Sequence, residues 1–252
     1  MVSDLLTGGA PSPQDQRKAI AAYLGLSSFM DAQVGRVLRA LDEAGLRDTT
    51  RILYTSDHGE NAGVRGVWGK SNHYEEAVAI PLIVAGQDVP AGKVCATPAS
   101  LADAYPTVLE GLGLSADGDG VPGHSLFDLA NKADDPERVA FSEYHAAASP
   151  SASYMLRKRR FKYIYYVGFS PELFDLEADP EESTNLSGRP EYAAKVKELD
   201  AMLRDIVDPE DADRRANEAQ RLLIESKGGP EKVMANLPTK KMYTSVPTGL
   251  IS

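Results

Sequence analysis

The sequence predicts an α/β fold in its first half, followed by a small antiparallel sheet with a packed helix. Helix and strand patterns alternate up to about residue 130, and short strands then follow at close spacing. The chain has 252 residues, of which 42% are hydrophobic and 25% charged, as in an ordinary globular protein. We therefore expect an α/β segment at 1–135, a sheet-and-helix segment at 136–208, and a helical extension with an extended tail at 209–252.

The α/β segment begins with an amphipathic helix, predicted over residues 17–45, where Gly45 supplies a stop. Residues 51–54 and Ile80–Ala85 are predicted strands, and residues 100–111 a further helix. The order helix, strand, loop, strand, helix predicts a sheet with helices on its faces. The stripe of the first helix comprises Ile20, Tyr23, Leu24, Ser27, Met30, Val34, Val37, Leu38 and Leu41.

The second segment contains four short strand patterns, at residues 139–144, 154–157, 161–166 and 172–176. A charged helix over 191–207 carries an apolar stripe that would pack on this sheet. A polar helix is predicted at 208–227, and the tail 228–252 is expected to be extended and ordered against another subunit of a homo-oligomer. The basic run Arg157–Lys162 is interpreted as a solvated hairpin, not a nucleic-acid contact.

Composition excludes several classes of partner. The net charge of −10 repels nucleic acid and anionic lipid, so a small anionic substrate would need a local positive site. No apolar run approaches the roughly 18 residues that a membrane span needs. The single cysteine, Cys95, and a start without a signal-peptide pattern lead us to expect a cytoplasmic location.

One segment carries residues suited to chemistry. Asp57 and His58 follow a predicted strand, where a carboxylate oxygen and an imidazole nitrogen can bind one divalent cation. Glycines 59, 63, 66 and 69 would let the following loop return Lys70 to the same place. Each residue also has a structural interpretation, because Asp57 can cap a turn, His58 can bond within the loop and Lys70 can be solvated. Spacing alone leaves both interpretations open.

These residues belong to a longer series of motifs spanning about residues 20–190. The series resembles the C-terminal part of the sulfatases, which are members of the alkaline phosphatase superfamily. The motifs are Thr55-Ser56-Asp57-His58-Gly59-Glu60, Trp68-Gly69-Lys70, Tyr74–Val78, Pro81–Val84, Ser100–Leu109, Pro122–Leu126, Glu172–Leu176, Asp179-Pro180 and Asn185-Leu186.

The resemblance implies a fold and a site. The first segment would be the C-terminal portion of an alkaline-phosphatase-like mixed sheet with flanking helices. Asp57 and His58 would be metal ligands, and Lys70 would be the catalytic lysine that contacts the sulfate group of a small sulfate ester. The family implies Ca²⁺ as the cation, while the nitrogen ligand at position 58 leaves Mn²⁺ open and Mg²⁺ is a further alternative.

Within the family, Ser142–Ala146, Met155–Tyr163 and Arg214–Gly229 resemble choline-sulfatase-like or arylsulfatase-like members. This similarity makes His73 and His145 candidates for the substrate pocket. A purely structural role is the alternative for each histidine.

The sulfatase nucleophile is a formylglycine made from Cys or Ser in a Cys/Ser-x-Pro-x-Arg motif, and the sequence contains no such motif. Cys95-Ala96-Thr97-Pro98-Ala99 has its proline one place late and no arginine. The family's early Asp-Asp pair and its mid-chain catalytic His are not matched either. We therefore expect a fragment or a chain that pairs with one carrying the N-terminal half, with an exposed apolar face and no turnover when isolated.

Two alternatives to a sulfatase remain at this stage. A phosphonate or phosphodiester hydrolase of the same superfamily also has an Asp-His pair followed by a lysine. A non-catalytic sulfatase-like interaction module would retain the fold without binding metal.

Overall fold

The helices and strands follow the predicted order. The computed structural model describes residues 12–116, 120, 122–145 and 149–236. The α-helices are α1 (Pro13–Glu43), α2 (Glu75–Val78), α3 (Ala104–Gly111), α4 (Leu126–Asn131), α5 (Ala193–Ile206), α6 (Pro209–Ser226) and α7 (Pro230–Ala235). The strands are β1 (Ile52–Thr55), β2 (Leu82–Ala85), β3 (Val139–Tyr144), β4 (Ser153–Lys158), β5 (Phe161–Tyr166) and β6 (Glu172–Asp175). Short 3₁₀ turns lie at Arg47–Thr49, Val64–Gly66, Leu101–Asp103 and Pro190–Tyr192.

The α/β segment is built around a two-stranded antiparallel pair. β1 and β2 align with Leu53 opposite Val84, and α2 lies in the loop that joins them. The long helix α1 precedes them and begins at Pro13, where the Ser12 hydroxyl accepts a hydrogen bond from the Asp15 amide at 3.2 Å. This serine N-cap, followed by proline at the first helical position, explains why the helix begins four residues before its predicted start.

The apolar stripe of α1 is present but exposed. None of the residues of α1 is buried, and Val37 is 68% exposed. Exposed apolar surface of this extent is uncommon on a soluble monomer. The stripe was correctly read from the sequence, but nothing among the described residues buries it.

The antiparallel segment forms an open four-stranded sheet. Strands β3, β4, β5 and β6 are adjacent in chain order, and every neighbouring pair is antiparallel. Paired residues share a face, so Met155 and Ile164 point to one side while Leu156 and Tyr163 point to the other. The first side packs with Phe174 against Tyr74 and Val78 of the α/β segment. The second side faces α5, where the Tyr163 hydroxyl donates to Asp200 at 3.0 Å.

The chain divides into two compact units, residues 1–207 and 208–252. The predicted boundary after residue 208 lies beside this division, whereas the predicted boundary at 135 separates two parts of the first unit. The prediction of an extended tail from residue 228 is wrong for Pro230–Ala235, which form helix α7. A proline at the first helical position favours this start. Residues 237–252, where we placed the subunit contact, lie outside the described residues. Among the described helices, none has the length and apolarity to cross a membrane.

Candidate functional site

Asp57 and His58 lie in the loop that begins where β1 ends. The Ser56 hydroxyl donates to the His58 carbonyl at 2.8 Å, and an Asp57 carboxylate oxygen accepts from the His58 amide at 3.0 Å. The His58 Nδ1 lies 2.7 Å from the Gly59 carbonyl oxygen. Because a carbonyl only accepts, we assign the proton to Nδ1, which leaves the lone pair on Nε2.

Lys70 completes a compact polar cluster with these two residues. Its Nζ atom contacts His58 Nε2, and Nε2 lies 3.3 Å from Asp57 Oδ2. The side chains of Asp57 and His58 are 80% and 36% exposed, so the cluster faces solvent. Desolvation raises the pKa of the Asp57 carboxyl, but the neighbouring His58, backbone amide hydrogen bonds and Lys70 together outweigh it and hold this pKa below its usual value. The structure thus brings together a hard oxygen, a nitrogen lone pair and an ammonium.

The loop that carries Lys70 is folded by two polar side chains to which we assigned no role. Glu60 Oε1 accepts from the Gly69 amide at 2.6 Å and from the Ala62 amide at 3.0 Å. The buried Asn61 side chain donates to the Gly69 carbonyl at 2.5 Å. Gly69 has a φ of 79°, which glycine adopts readily and which turns the chain toward Lys70. A Glu-Asn pair followed by glycines is the sequence signal for this closed loop.

The cluster opens onto a cavity of about 910 Å³, whose lining includes Asp57, His58 and Lys70. The lining also includes Ser142 and Tyr144 of the edge strand β3. Residues 97–102 close another side of the cavity. A space of this size accommodates a small organic ester.

His73 lies on the cavity side of the antiparallel sheet. Its ring is buried, and its Nε2 lies 3.1 Å from the Ser153 hydroxyl at the start of β4. Burial lowers the pKa of His73 to about 4, assisted by the nearby Lys162 charge and only partly opposed by Ser153. His73 is therefore neutral at physiological pH.

His145 lies on the other face of the same sheet. Its ring packs edge-on against Tyr154 with the ring centroids 5.4 Å apart, and its Nε2 is 3.3 Å from Glu143. Tyr154 shares its face with Leu156, on the α5 side. The structure thus does not bring His73 and His145 to one pocket.

The basic hairpin at 157–162 is only partly solvated, which corrects our interpretation. The turn at Arg159 and Arg160 is exposed or half-buried as expected. Lys162, however, is 0% exposed and forms ion pairs with Glu75 at 2.5 Å and Glu182 at 2.7 Å. The alternation of a β-strand places Lys162 on the inner face, where its partners come from distant parts of the chain.

Asp57 and His58 fit a divalent cation in type but not in number. Among the described residues, no group of three or more His, Cys, Asp or Glu side chains is arranged to hold a metal ion. Ca²⁺ takes about six to eight oxygen ligands, and tight binding needs most of them from protein. These two side chains can therefore supply only part of a coordination shell.

The fold, which is shared with a sulfatase-like protein and a phosphonate monoester hydrolase, places the chain in the alkaline phosphatase superfamily of hydrolases. The chain belongs to the sulfatase family. Residues 7–114 match the sulfatase model, and residues 63–208 match the model described as N-sulphoglucosamine sulphohydrolase, C-terminal. The family resemblance that we drew from the motifs is confirmed.

Two curated relatives illustrate the similarity. Arylsulfatase K of Xenopus laevis is 36% identical over 207 residues, which cover 77% of this chain and 38% of that protein. A choline-sulfatase of Rhizobium meliloti (strain 1021) is 36% identical over 179 residues, covering 70% of this chain and 35% of that protein. The chain thus spans less than two fifths of the length of these relatives.

Two solved structures have the same fold over most of this chain. One, in complex with its substrate D-glucosamine-2-N,6-O-disulfate, has a TM-score of 0.71 and 29% identity and covers 81% of this chain and 44% of its own. The phosphonate monoester hydrolase of Agrobacterium radiobacter has a TM-score of 0.61 and 30% identity, with 69% and 38% coverage. The predicted alkaline-phosphatase-like fold class is confirmed by these similarities.

Proposed function

We propose that this chain supplies the cation-binding and sulfate-facing part of a sulfuric-ester hydrolase. Asp57 and His58 would hold a divalent cation, and Lys70 would bind the sulfate group. The observation that supports this proposal is the meeting of Asp57 Oδ2, His58 Nε2 and Lys70 Nζ at the cavity. The same three residues match the sulfatase motif in a chain that belongs to that family.

The donor types define the cation. The sulfatase family implies Ca²⁺, which the carboxylate oxygen suits, whereas the imidazole nitrogen leaves Mn²⁺ open and Mg²⁺ is a further alternative. A bound cation would offset negative charge on the transferring sulfuryl group. Because Nε2 of His58 has a single lone pair, Lys70 would be released toward the cavity once that lone pair binds a cation. The freed ammonium would then donate to a sulfate oxygen.

Turnover would need groups beyond these residues. The 252 residues contain no Cys/Ser-x-Pro-x-Arg segment for the formylglycine nucleophile, and two donors are too few for a tight cation site. We propose that the isolated chain does not hydrolyse sulfate esters and that a chain carrying the N-terminal half of a sulfatase would restore activity. The exposed apolar stripe of α1 supports the existence of a further protein surface.

The four histidines allow a direct test on the chain as it exists. In an NMR titration with Mn²⁺, the imidazole signals of His58 should broaden at lower metal concentration than those of His73, His124 and His145. Asp57→Asn removes the negative charge of a direct ligand, and even outer partners of metal sites contribute about tenfold to affinity. We therefore expect this variant to require roughly tenfold more Mn²⁺ or more for the same broadening.

Asp42→Asn is the matched control, because Asp42 is an exposed carboxylate at the end of α1 that pairs with Arg47. It should leave the Mn²⁺ response of His58 unchanged. Equal broadening of all four histidines, or none at His58, would contradict the proposed cation site. The absence of any response at His58 is also what a non-catalytic sulfatase-like module predicts.

A phosphonate monoester or phosphodiester hydrolase is the second candidate. It is favoured by the 30% identity to the phosphonate monoester hydrolase of Agrobacterium radiobacter. With saturating Ca²⁺, inorganic sulfate and methylphosphonate can be compared as ligands through the ¹⁵N signal of Lys70. Stronger perturbation by sulfate supports the sulfatase, and stronger perturbation by methylphosphonate supports the alternative.

A further inference from the structure

Lys162 is a buried cation held by two ion pairs and one hydrogen bond to the α/β segment and the loop after β6. Its ammonium has three protons and lies within bonding distance of Glu75 Oε1, Glu182 Oε1 and the His73 carbonyl, at 2.5, 2.7 and 3.0 Å. Lys162 itself belongs to the middle of the antiparallel sheet, on β5. One side chain therefore links the rigid sheet to the segment that follows Lys70.

Glu182 strengthens the same link from the other side. Its second oxygen, Oε2, accepts from the Glu75 amide at 2.7 Å, at the first residue of α2. Glu182 is buried and has a φ of 50°, a left-handed conformation that residues with a side chain adopt rarely. The backbone therefore holds the carboxylate in a specific orientation toward Lys162 and α2.

The segment that Lys162 and Glu182 bind, from Asn72 to the end of α2, contacts the candidate site at two places. The Gly59 amide, directly after His58, donates to the Ala77 carbonyl of α2 at 2.8 Å. A Cβ atom on Gly59 would lie 2.0 Å from the Glu76 carbonyl oxygen, so the two backbones are in direct contact. On the other side, Asn72 donates to the Asn61 side chain at 3.1 Å, and Asn61 holds the Gly69 carbonyl. His58 and Lys70 are thus each connected to the residues bound by Lys162.

We propose that Lys162 and Glu182 are positioning residues that fix the distance between His58 and Lys70. The inference rests on the proposed function of that cluster. A buried ion pair contributes little stability relative to well-packed apolar residues, so its distinctive contribution is geometric. An apolar side chain at position 162 would fill the space but would leave the His73 carbonyl and α2 without their anchor.

The test replaces Lys162 and Glu182 together, so that neither is left buried without the other. The third charge of the cluster, Glu75, is half-buried and also pairs with Arg157 at 3.6 Å. In Lys162→Met/Glu182→Leu, we expect the amides of residues 58–76 to exchange with deuterium faster, while the amides of β4 and β5 keep their protection. The thermal midpoint should stay near that of the parent. The Mn²⁺ concentration that broadens His58 should rise roughly tenfold, as for loss of outer partners in metal sites.

Lys132→Met/Asp128→Leu is the control, because this exposed lysine–carboxylate pair at the end of α4 has a distance of 2.9 Å and lies outside the network. It should change neither readout. Glu182→Gln is a milder variant that keeps the shape and the bond from the Glu75 amide, and it should accelerate exchange in residues 58–76 to a smaller degree. It serves as the test if the double variant does not fold.

Unchanged exchange at 58–76 in a folded double variant, or in Glu182→Gln, would overturn the positioning role. Exchange that rises uniformly over the sheet as well would also overturn it, since a merely stabilising pair has that effect. The exchange measurement requires no metal. If Mn²⁺ does not affect His58 in the parent, the proposed function fails while the positioning role is still decided by exchange.

Discussion

The antiparallel sheet and the segment that carries the candidate site are stabilised in different ways. In the sheet, Leu156, Ile164 and Leu173 are fully buried, and helix α5 covers one face with Leu199 and Leu203. In the preceding segment, α1 buries none of its residues, and the pair β1–β2 has exposed apolar side chains such as Ile83. The sheet has a core of its own, and the site-bearing segment has little.

Besides the apolar packing of Tyr74 and Val78, polar contacts attach the site-bearing segment to the sheet. Arg65 pairs with Glu76 at 2.8 Å and also contacts the loop after β6 at the Glu181 carbonyl. The Tyr74 hydroxyl donates to Glu172 of β6 at 3.0 Å, and the Arg65 guanidinium lies 4.2 Å from the Tyr74 ring. Directional contacts of this kind fix orientation, whereas apolar burial supplies most of the free energy of folding.

The largest expected effect comes from the core of the sheet. Leu156→Ala removes a fully buried side chain and should lower the free energy of unfolding by about 2–5 kcal/mol. Leu24→Ala removes the same atoms from the exposed stripe of α1 and should change the free energy of unfolding by less than about 0.5 kcal/mol. Urea unfolding followed by circular dichroism measures both. Similar losses in the two variants would mean that α1 is buried in solution, and the proposed difference between the sheet and the preceding segment would be wrong.

His73, at the junction of the two regions, should make stability depend on pH. Its pKa of about 4 in the folded protein lies below the 6.5 of an unperturbed histidine, so the unfolded chain binds the extra proton more readily. The stability that the neutral His73 contributes to the folded protein is fully present above pH 6.5 and is lost as the pH falls toward 4. The loss should approach about 3 kcal/mol below that range.

The measurement compares urea unfolding of the parent with that of His73→Gln between pH 7.5 and pH 4. Glutamine can retain a hydrogen bond to Ser153 but does not titrate in this range. The difference between the two proteins should shrink as the pH falls. A constant difference would show that His73 is protonated in the folded state, or is solvated rather than buried.

Gly59 offers a smaller effect, located in the site itself. Gly59→Ala forces a Cβ atom against the Glu76 carbonyl, and overpacking of this kind typically costs about 1–3 kcal/mol. Gly25→Ala is the comparison, because a Cβ on Gly25 meets no atom within 4 Å. In helix α1 it should be neutral or stabilise by up to about 1 kcal/mol. Equal tolerance of both substitutions would show that Gly59 and α2 are not in contact in solution.

Local patterns predicted the elements well. Strands β3 and β5 have the bounds expected from alternating apolar residues, because residues within each run determine that pattern. Helices α2 and α4 were missed, since four and six residues are too short for a helical period to emerge. The N-cap at Ser12 and the proline that starts α7 were signals in the sequence that our bounds did not use.

Contacts between distant residues could not be read from patterns. The burial of Lys162 depends on the His73 carbonyl, 89 positions earlier in the chain, and on two distant glutamates, one at the start of α2 and one in the loop after β6. The other basic residues of the run, Arg157, Lys158, Arg159 and Arg160, are half-buried or exposed, so the sequence alone favours a charged hairpin on the surface. The motif predicted that Asp57, His58 and Lys70 would lie near one another, but it carried no information about Glu60 and Asn61, which shape the loop.

The part of the cavity wall formed by the edge strand β3 can change in sequence independently of the polar cluster. Ser142 and Tyr144 contribute to this wall, while the polar cluster lies on a different part of the chain, between β1 and β2. Mutations in the wall can therefore accumulate without altering Asp57, His58 and Lys70, the residues of the proposed site. Such separation favours divergence after gene duplication, and a library randomised at positions 142 and 144 is the laboratory equivalent.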